Sequence, residues 1–521
     1  MRSKKQFRPW LPGQPSLLPT DPRTWLPENH LVWFVLDIVG RLDLSSIVDR
    51  VRAKDPRGTQ PHDPRMMMAL LMYAYAVGVF SSRRIERGTY EDVAFRILTS
   101  DQHPDHATIA RFRRENLEVF RDVFVQVLRI AAEMGLVTFG VLALDGVKIL
   151  ANASKHEAMS YDRMRKDVER LKAEIEALAA RAEQTDRDEQ ARFGDGRMAD
   201  LPEEIARREA RKAKIEEAMV ALEAESRQAR IEELREQERH HLENAEDPTL
   251  DPGRRKGAAT MARARRCAIE ALESDGRTDN DDDDDGDDDA STDGAEGADG
   301  GLPAHRARHN TDGTPEDGAQ RNFTDPDSKI MKRDGDHIVQ AYNAQAVVDN
   351  ANQIVVAAAV GNQPPDCEYL PPMLDKVDEN LQAAGITRPD ETPLAADAGY
   401  FSEANVNAAE ERGFDPYIAP ERTKRERPEI LPVSESTPAE PSELKPRDKM
   451  RAKLKTPAGS RIYGLRKTTP EPVFGQIEEV RGFRRFLLRG LECVRGEWLL
   501  VTLTHNVLKM WRYEADIAVT T

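Results

Sequence analysis

The sequence predicts an α/β protein: a mixed sheet with helices on its faces, an all-α region before it, and a long helical insertion inside it. Three observations predict this. Residues 29–135 carry apolar side chains at helical spacing. From residue 136 onward, β-branched runs bounded by turn dipeptides take over. Between the first of these runs and the rest lie residues 156–273, rich in charge, with apolar residues at alternating steps of four and three.

In the N-terminal region, HLVWFVLDIVGRLDLSSIVDRV, PRMMMALLMYAYAVGVF and RRENLEVFRDVFVQVLRIAAEMG read as helices. Between the last two, TSDQHPDHATIARFRREN places a Pro-containing turn before a short helix that displays Arg111, Arg113 and Arg114. It is similar to the turn and second helix of a helix-turn-helix, though a connecting helix with a solvated basic face fits the spacing equally well. Residues 136–155 (LVTFGVLALDGVKILANAS and Lys155) read as the first strands, turning at Asp145-Gly146. In the insertion, Met164, Val168, Leu171, Ile175 and Leu178 form one seam and Ile215, Met219 and Leu222 a second, a helical hairpin broken near FGDGRMADLP. Residues 274–323 carry an Asp-rich tract that cannot bury a core and reads as a linker.

Sheet signals resume over 324–521. DHIVQAYNAQAVVD and NQIVVAAAVG read as an antiparallel pair, PPMLDKVDENLQAAG as a helix, and TPLAADAG as a strand ending at Asp397. Residues 421–460 read as a Pro-rich loop. A helix opens at Pro470-Glu471-Pro472, prolines suiting its first turn, and GEWLLVTLTHNVLKMWR closes the chain.

Charge is unevenly spread. The formal net charge of −17 argues against a nucleic-acid partner, yet residues 275–300 alone hold 13 Asp/Glu against one Arg. Residues 1–155 carry 22 Lys/Arg against 17 Asp/Glu, and residues 421–521 carry 20 against 14. Both flanks are thus mildly basic and permit DNA contact. Three scattered cysteines give neither a disulfide framework nor metal-ligand spacing. No signal-peptide pattern or membrane-length apolar run is read, so a cytoplasmic protein is expected.

Three acids stand out by position. Asp145 and Asp397 end hydrophobic strands, and Glu471 opens a helix ahead of a segment dense in arginine. Side chains at strand ends of an open α/β sheet can converge without filling the core. Two aspartates and a glutamate brought together could hold a pair of Mg²⁺ ions through hard oxygen ligands. Each acid also has a structural explanation: Asp-Gly is a common turn dipeptide, and a glutamate in a first turn complements the helix dipole.

Taken in order, LALDGVKILANAS, AYNAQAVVD, LAADAGYFS and YGLRKTTPEPVFGQIEEVRGFRRFLLRG resemble the successive blocks of bacterial insertion-sequence transposases of the DDE class. PWLPGQPSLLP, PRMMMALLMYAYAVGVFSSRRIE and DHATIARFRREN resemble that family's N-terminal region. The resemblance implies an RNase H-like catalytic domain over 136–155 and 324–521, a DNA-binding domain over 1–135, and Asp145, Asp397 and Glu471 as metal-binding acids. It implies cleavage of transposon ends and strand transfer with Mg²⁺ or Mn²⁺, on double-stranded terminal repeats and target DNA, by a homodimer or higher oligomer. The last block resembles the subgroup with Tyr, Arg, Glu and Lys in order. Tyr463, with Arg466 or Lys467, matches the first positions, and Glu478 stands where that pattern has Lys. Seven residues is two helical turns, so Glu478 is expected on the face of Glu471. Arg481, Arg484 and Arg485 are the remaining expected DNA contacts. The rival readings are a catalytically silent DNA-binding descendant of a transposase and a coiled-coil scaffold without a DNA role.

Overall fold

In the computed structural model the described residues are Phe7, Pro9, 21–53, 60–192, 201–275, 301–303, 305–333, 337–421 and 445–520. Several expectations fall outside them: most of PWLPGQPSLLP, the heptad break at 193–200, the acidic run at 276–300, and residues 422–444 of the expected loop. The chain divides into two units: residues 1–152, 296–304 and 327–521, and residues 153–295 and 305–326.

The first unit begins with seven helices: α1 (Leu31–Arg41), α2 (Ser45–Arg52), α3 (Pro64–Ala76), α4 (Ser82–Glu91), α5 (Val93–Thr99), α6 (His106–Glu115) and α7 (Val119–Glu133). The run PRMMMALLMYAYA is apolar all round because α3 is enclosed on every side, with Met66, Leu70, Met72 and Tyr75 at or near zero exposure. Asp63 starts it, its carboxylate accepting from Arg65 N at 2.7 Å ahead of Pro64. Asp105 starts α6 in the same way, accepting from Thr108 N at 2.7 Å.

The sheet follows. Strand β1 (Leu142–Leu150) belongs to the first unit, whereas β2 (Ala158–Ser160), helices α8 (Tyr161–Arg192), α9 (Leu201–Glu246) and α10 (Pro252–Asp275), and β3 (Gln320–Asn322) belong to the second. The first unit resumes with β4 (Lys329–Arg333), β5 (His337–Asp349), β6 (Val355–Gly361), α11 (Leu370–Ala384), β7 (Thr392–Ala396), α12 (Glu403–Glu411), β8 (Phe414–Ile418), α13 (Pro446–Lys455), α14 (Pro457–Thr468), α15 (Pro470–Gly475) and α16 (Leu491–Thr520). β5 pairs antiparallel with β1 along one edge; along the other it takes β4 on its first residues and β6 on its last. β1 runs parallel to β7, and β7 to β8. The sheet is therefore mixed, and the expected α/β class holds.

The antiparallel pair, α11 and β7 lie where the sequence predicts them. Two readings are corrected. β1 does not turn at Asp145-Gly146 but runs through it to Leu150, paired residue for residue with β5. Gly146 serves packing rather than a turn: a Cβ there would stand 2.2 Å from Gln345 Nε2. The segment after residue 445 is helical (α13, α14), not loop, with Pro446 and Pro457 each in a first turn. The closing segment is one long helix, α16, enclosed by α3, α7 and β6. Asn506 ties it to the sheet, donating to Val355 O and accepting from Val355 N, each at 2.8 Å.

In the second unit β2 and β3 pair antiparallel at its two chain ends. Met164, Val168 and Leu171 of α8 pack with Ile215 and Ala218 of α9, so the two seams meet. Ile231 and Leu234 of α9 pack with Ile269 of α10, a third helix that the seams did not announce.

Candidate active site

β1 and β7 are adjacent and parallel, with Leu144 opposite Ala396, so the next residues, Asp145 within β1 and Asp397 just past the end of β7, stand side by side. Asp397 Oδ1 accepts from Gly399 N at 2.7 Å and so caps the turn Ala398–Tyr400. Asp145 Oδ1 accepts from Gly146 N at 2.8 Å. Burial pushes the Asp145 carboxyl up to about 7; the Gly146 hydrogen bond opposes this, while the charges of Asp397, Asp366 and Glu471 reinforce it. The charges of Asp397 and Glu471 thus both reach Asp145. Glu471 remains exposed in the first turn of α15, which packs on β1.

Asp366 was missed by the sequence reading. It lies between β6 and α11, in a Pro-rich turn that gives no strand-end signal. Its Oδ1 accepts from Lys148 Nζ at 2.7 Å, Asn343 Nδ2 at 2.8 Å and Gln345 Nε2 at 3.1 Å. Lys148 is mostly enclosed by this pairing. Tyr400 is buried and its hydroxyl donates to Gln345 Oε1. Alternation along β5 does point Asn343 and Gln345 to one face, but amides in a strand carry no signal in a single sequence.

Among the described residues no three His, Cys, Asp or Glu side chains stand close enough to hold a metal ion. The donor chemistry still fits a hard divalent cation: the neighbouring carboxylates raise the proton affinity of Asp145, and Lys148 is bonded to Asp366 beside it.

The expected DNA contacts divide. Arg111 and Arg114 are exposed on α6. Arg113, on the opposite face, is 4% exposed and donates to the Tyr75 hydroxyl at 2.7 Å and to Phe80 O at 3.1 Å; Tyr75 in turn donates to the buried Glu497. It is a core residue, not a DNA contact. Arg481 is also enclosed, donating to Val501 O at 3.0 Å and Thr504 Oγ1 at 2.9 Å, which removes it from any DNA face. Arg466 lies over the Tyr463 ring at 4.2 Å on α14, with Lys467 exposed beside it. Ile462 and Leu465 of the same helix pack on Val141, Ala143 and Ala395 at the β1–β7 seam. Arg484 and Arg485 are exposed; Arg484 pairs with Glu479, and the segment bonds to the end of β1 through Phe486 N to Leu150 O at 2.9 Å.

Glu478 departs from its expected place. A π-helical turn, Gln476–Val480, follows α15, so the 3.6-residue period that would align it with Glu471 is broken. Glu478 instead pairs with Arg333 at 2.6 Å, mostly enclosed.

A mixed α/β sheet with aspartates at the adjoining positions of parallel strands defines a chain with a carboxylate site at the sheet's centre. Two family models match it: a Transposase domain (DUF772) over residues 21–115 and a Transposase DDE domain over residues 436–511. The second match includes Glu471. The chain is thus similar to transposase families over these two separate stretches. No curated protein and no solved structure matches it.

Proposed function

We propose that the chain cleaves the ends of a DNA transposon and joins them to target DNA, with Asp145, Asp397 and Glu471 as the metal-binding acids of an RNase H-like core. The observation that carries this is the side-by-side placement of Asp145, within β1, and Asp397, just past the end of the parallel strand β7, with Glu471 close enough for its charge to bear on Asp145. Mg²⁺ or Mn²⁺, when bound, supplies Lewis acidity and an activated water or 3′-hydroxyl for phosphodiester chemistry. The chain's own residues divide the remaining work. Asp145 and Asp397 present oxygens from the rigid centre of the sheet. Glu471, exposed on a short helix, closes the site from the side that DNA approaches.

Arg111 and Arg114, the stacked Tyr463–Arg466 pair, Lys467, Arg484 and Arg485 are the proposed backbone contacts, which position DNA without reading it. Residues 1–135 are proposed as the DNA-binding region, and the helical insertion 156–273 as an assembly element for a dimer or higher oligomer on DNA. The working compartment is the bacterial cytoplasm.

The test is cleavage of duplexes ending in the element's terminal repeats, with Mg²⁺. Asp145→Asn, Asp397→Asn and Glu471→Gln should each lower the cleavage rate by at least about 10³-fold, as loss of a group acting only in the transition state does, while DNA affinity stays within about twofold. Undiminished cleavage in all three would remove the assignment.

A further inference from the structure

The region around Asp145 holds a carboxylate that the three-acid reading does not use. Asp366 stands one residue ahead of the short 3₁₀ turn Cys367–Tyr369 that leads into α11, where an aspartate ordinarily accepts a hydrogen bond from the turn's own backbone. It makes no such bond. Its Oδ1 is filled by Lys148, Asn343 and Gln345. The polarity of that network is set from outside. The Tyr400 hydroxyl donates to Gln345 Oε1, so the Gln345 amide nitrogen faces Asn343 Oδ1, at 2.8 Å, and Asp366. The Asn343 amide nitrogen, its own oxygen being occupied, donates to Asp366 and to Gln363 O at 3.2 Å. Every donor in this network ends on one oxygen, Asp366 Oδ1.

The other oxygen is left over. Among the described residues nothing donates to Asp366 Oδ2. A Cβ built on Gly399 would stand 2.9 Å from Asp397 Oδ1 and 3.7 Å from Asp366 Oδ2. The two oxygens therefore flank one point, and the sum of those distances, about 6.6 Å, bounds their separation. That point is kept open by a glycine.

We propose that Asp366 is a fourth carboxylate of the metal-binding cluster, presenting Oδ2 beside Asp397 while Lys148, Asn343 and Gln345 fix it through Oδ1. This rests on the reading of Asp145 and Asp397 as metal-binding acids. Lys148 offsets part of the cluster's negative charge and keeps Asp366 from rotating back to cap its own turn. A fourth acid on a fixed mount also lessens the dependence of ion retention on Glu471, the exposed member.

The test is Mn²⁺ binding to the full chain without DNA, followed by loss of the free-ion electron paramagnetic resonance signal. Asp366→Asn should weaken Mn²⁺ binding by about 10- to 100-fold, the range that loss of a metal-site partner produces, with an unchanged melting temperature in chelator. Asp366→Glu keeps the charge but moves the oxygens and should weaken binding too; it serves where the Asn variant does not fold. Lys148→Met leaves the carboxylate in place and should alter Mn²⁺ affinity less than Asp366→Asn. Wild-type affinity in both Asp366 variants, with loss in Asp145→Asn, overturns the role of Asp366 alone. Wild-type affinity in Asp145→Asn as well overturns the metal reading on which it rests.

Discussion

At the scale of single residues, the site is defined by charge held against its preference. An acid whose folded value is raised behaves oppositely to the usual ion-paired carboxylate. Between about pH 4 and pH 7, folded Asp145 keeps a proton that the unfolded chain has lost, so its contribution to stability falls as pH rises through that window and stays low above it. Asparagine at 145 has no such loss. In chelator, the stability of Asp145→Asn relative to wild type should therefore be greater at pH 8 than at pH 5, by about 2–3 kcal/mol, read as the shift in urea midpoint. An equal difference at both pH values would show that Asp145 ionises normally. Arg113 teaches a different lesson. RFRREN supplies three arginines, but a helix turns 100° per residue, so consecutive arginines cannot all share one face. Arg113 points inward to Tyr75 and Glu497 while Arg111 and Arg114 stay out.

Among elements, legibility followed periodicity. The β5–β6 pair, α11 and β7 were readable because each is one uninterrupted pattern between turn signals. The segment after Glu471 was not, because a π-helical turn adds backbone without leaving a composition signal, and it shifts Glu478 away from Glu471 and Arg481 into the core. Gly78 makes room for the shifted segment: with φ +79, a Cβ on it would meet Arg481 O at 2.5 Å. Arg481 is then a buried cation with Nε and Nη2 unpartnered, and burial pulls it down to about 9. A buried unpaired charge costs stability, so methionine of similar length should do better. Thr504 keeps its bond to Leu500 O. Arg481→Met is expected to gain about 1–3 kcal/mol in urea unfolding with unchanged DNA affinity. A fall in DNA affinity with no gain in stability would return Arg481 to the DNA face.

Across the whole molecule, the sequence announced Asp145 and Asp397 through their apolar strands, although only Asp397 follows a strand end, but not Asp366, Asn343 or Gln345, which acquire meaning only once β1, β5, β7 and the β6–α11 turn lie together. Nor did it announce how an insertion as long as β2 to β3 could interrupt a sheet. The register explains it. Leu150, at the end of β1, and Lys329, at the start of β4, both lie opposite Ala341, one on each edge of β5. The chain thus leaves and re-enters the sheet across a single strand, a gap that a few extended residues can span. The first unit's own sheet hydrogen bonds do not pass through the insertion. Replacing residues 153–326 by a Gly/Ser linker of about six residues should leave a soluble protein that unfolds in one cooperative transition and retains the pH-dependent difference between wild type and Asp145→Asn. A non-cooperative melt with dye-accessible apolar surface would show instead that the insertion completes the fold of the sheet.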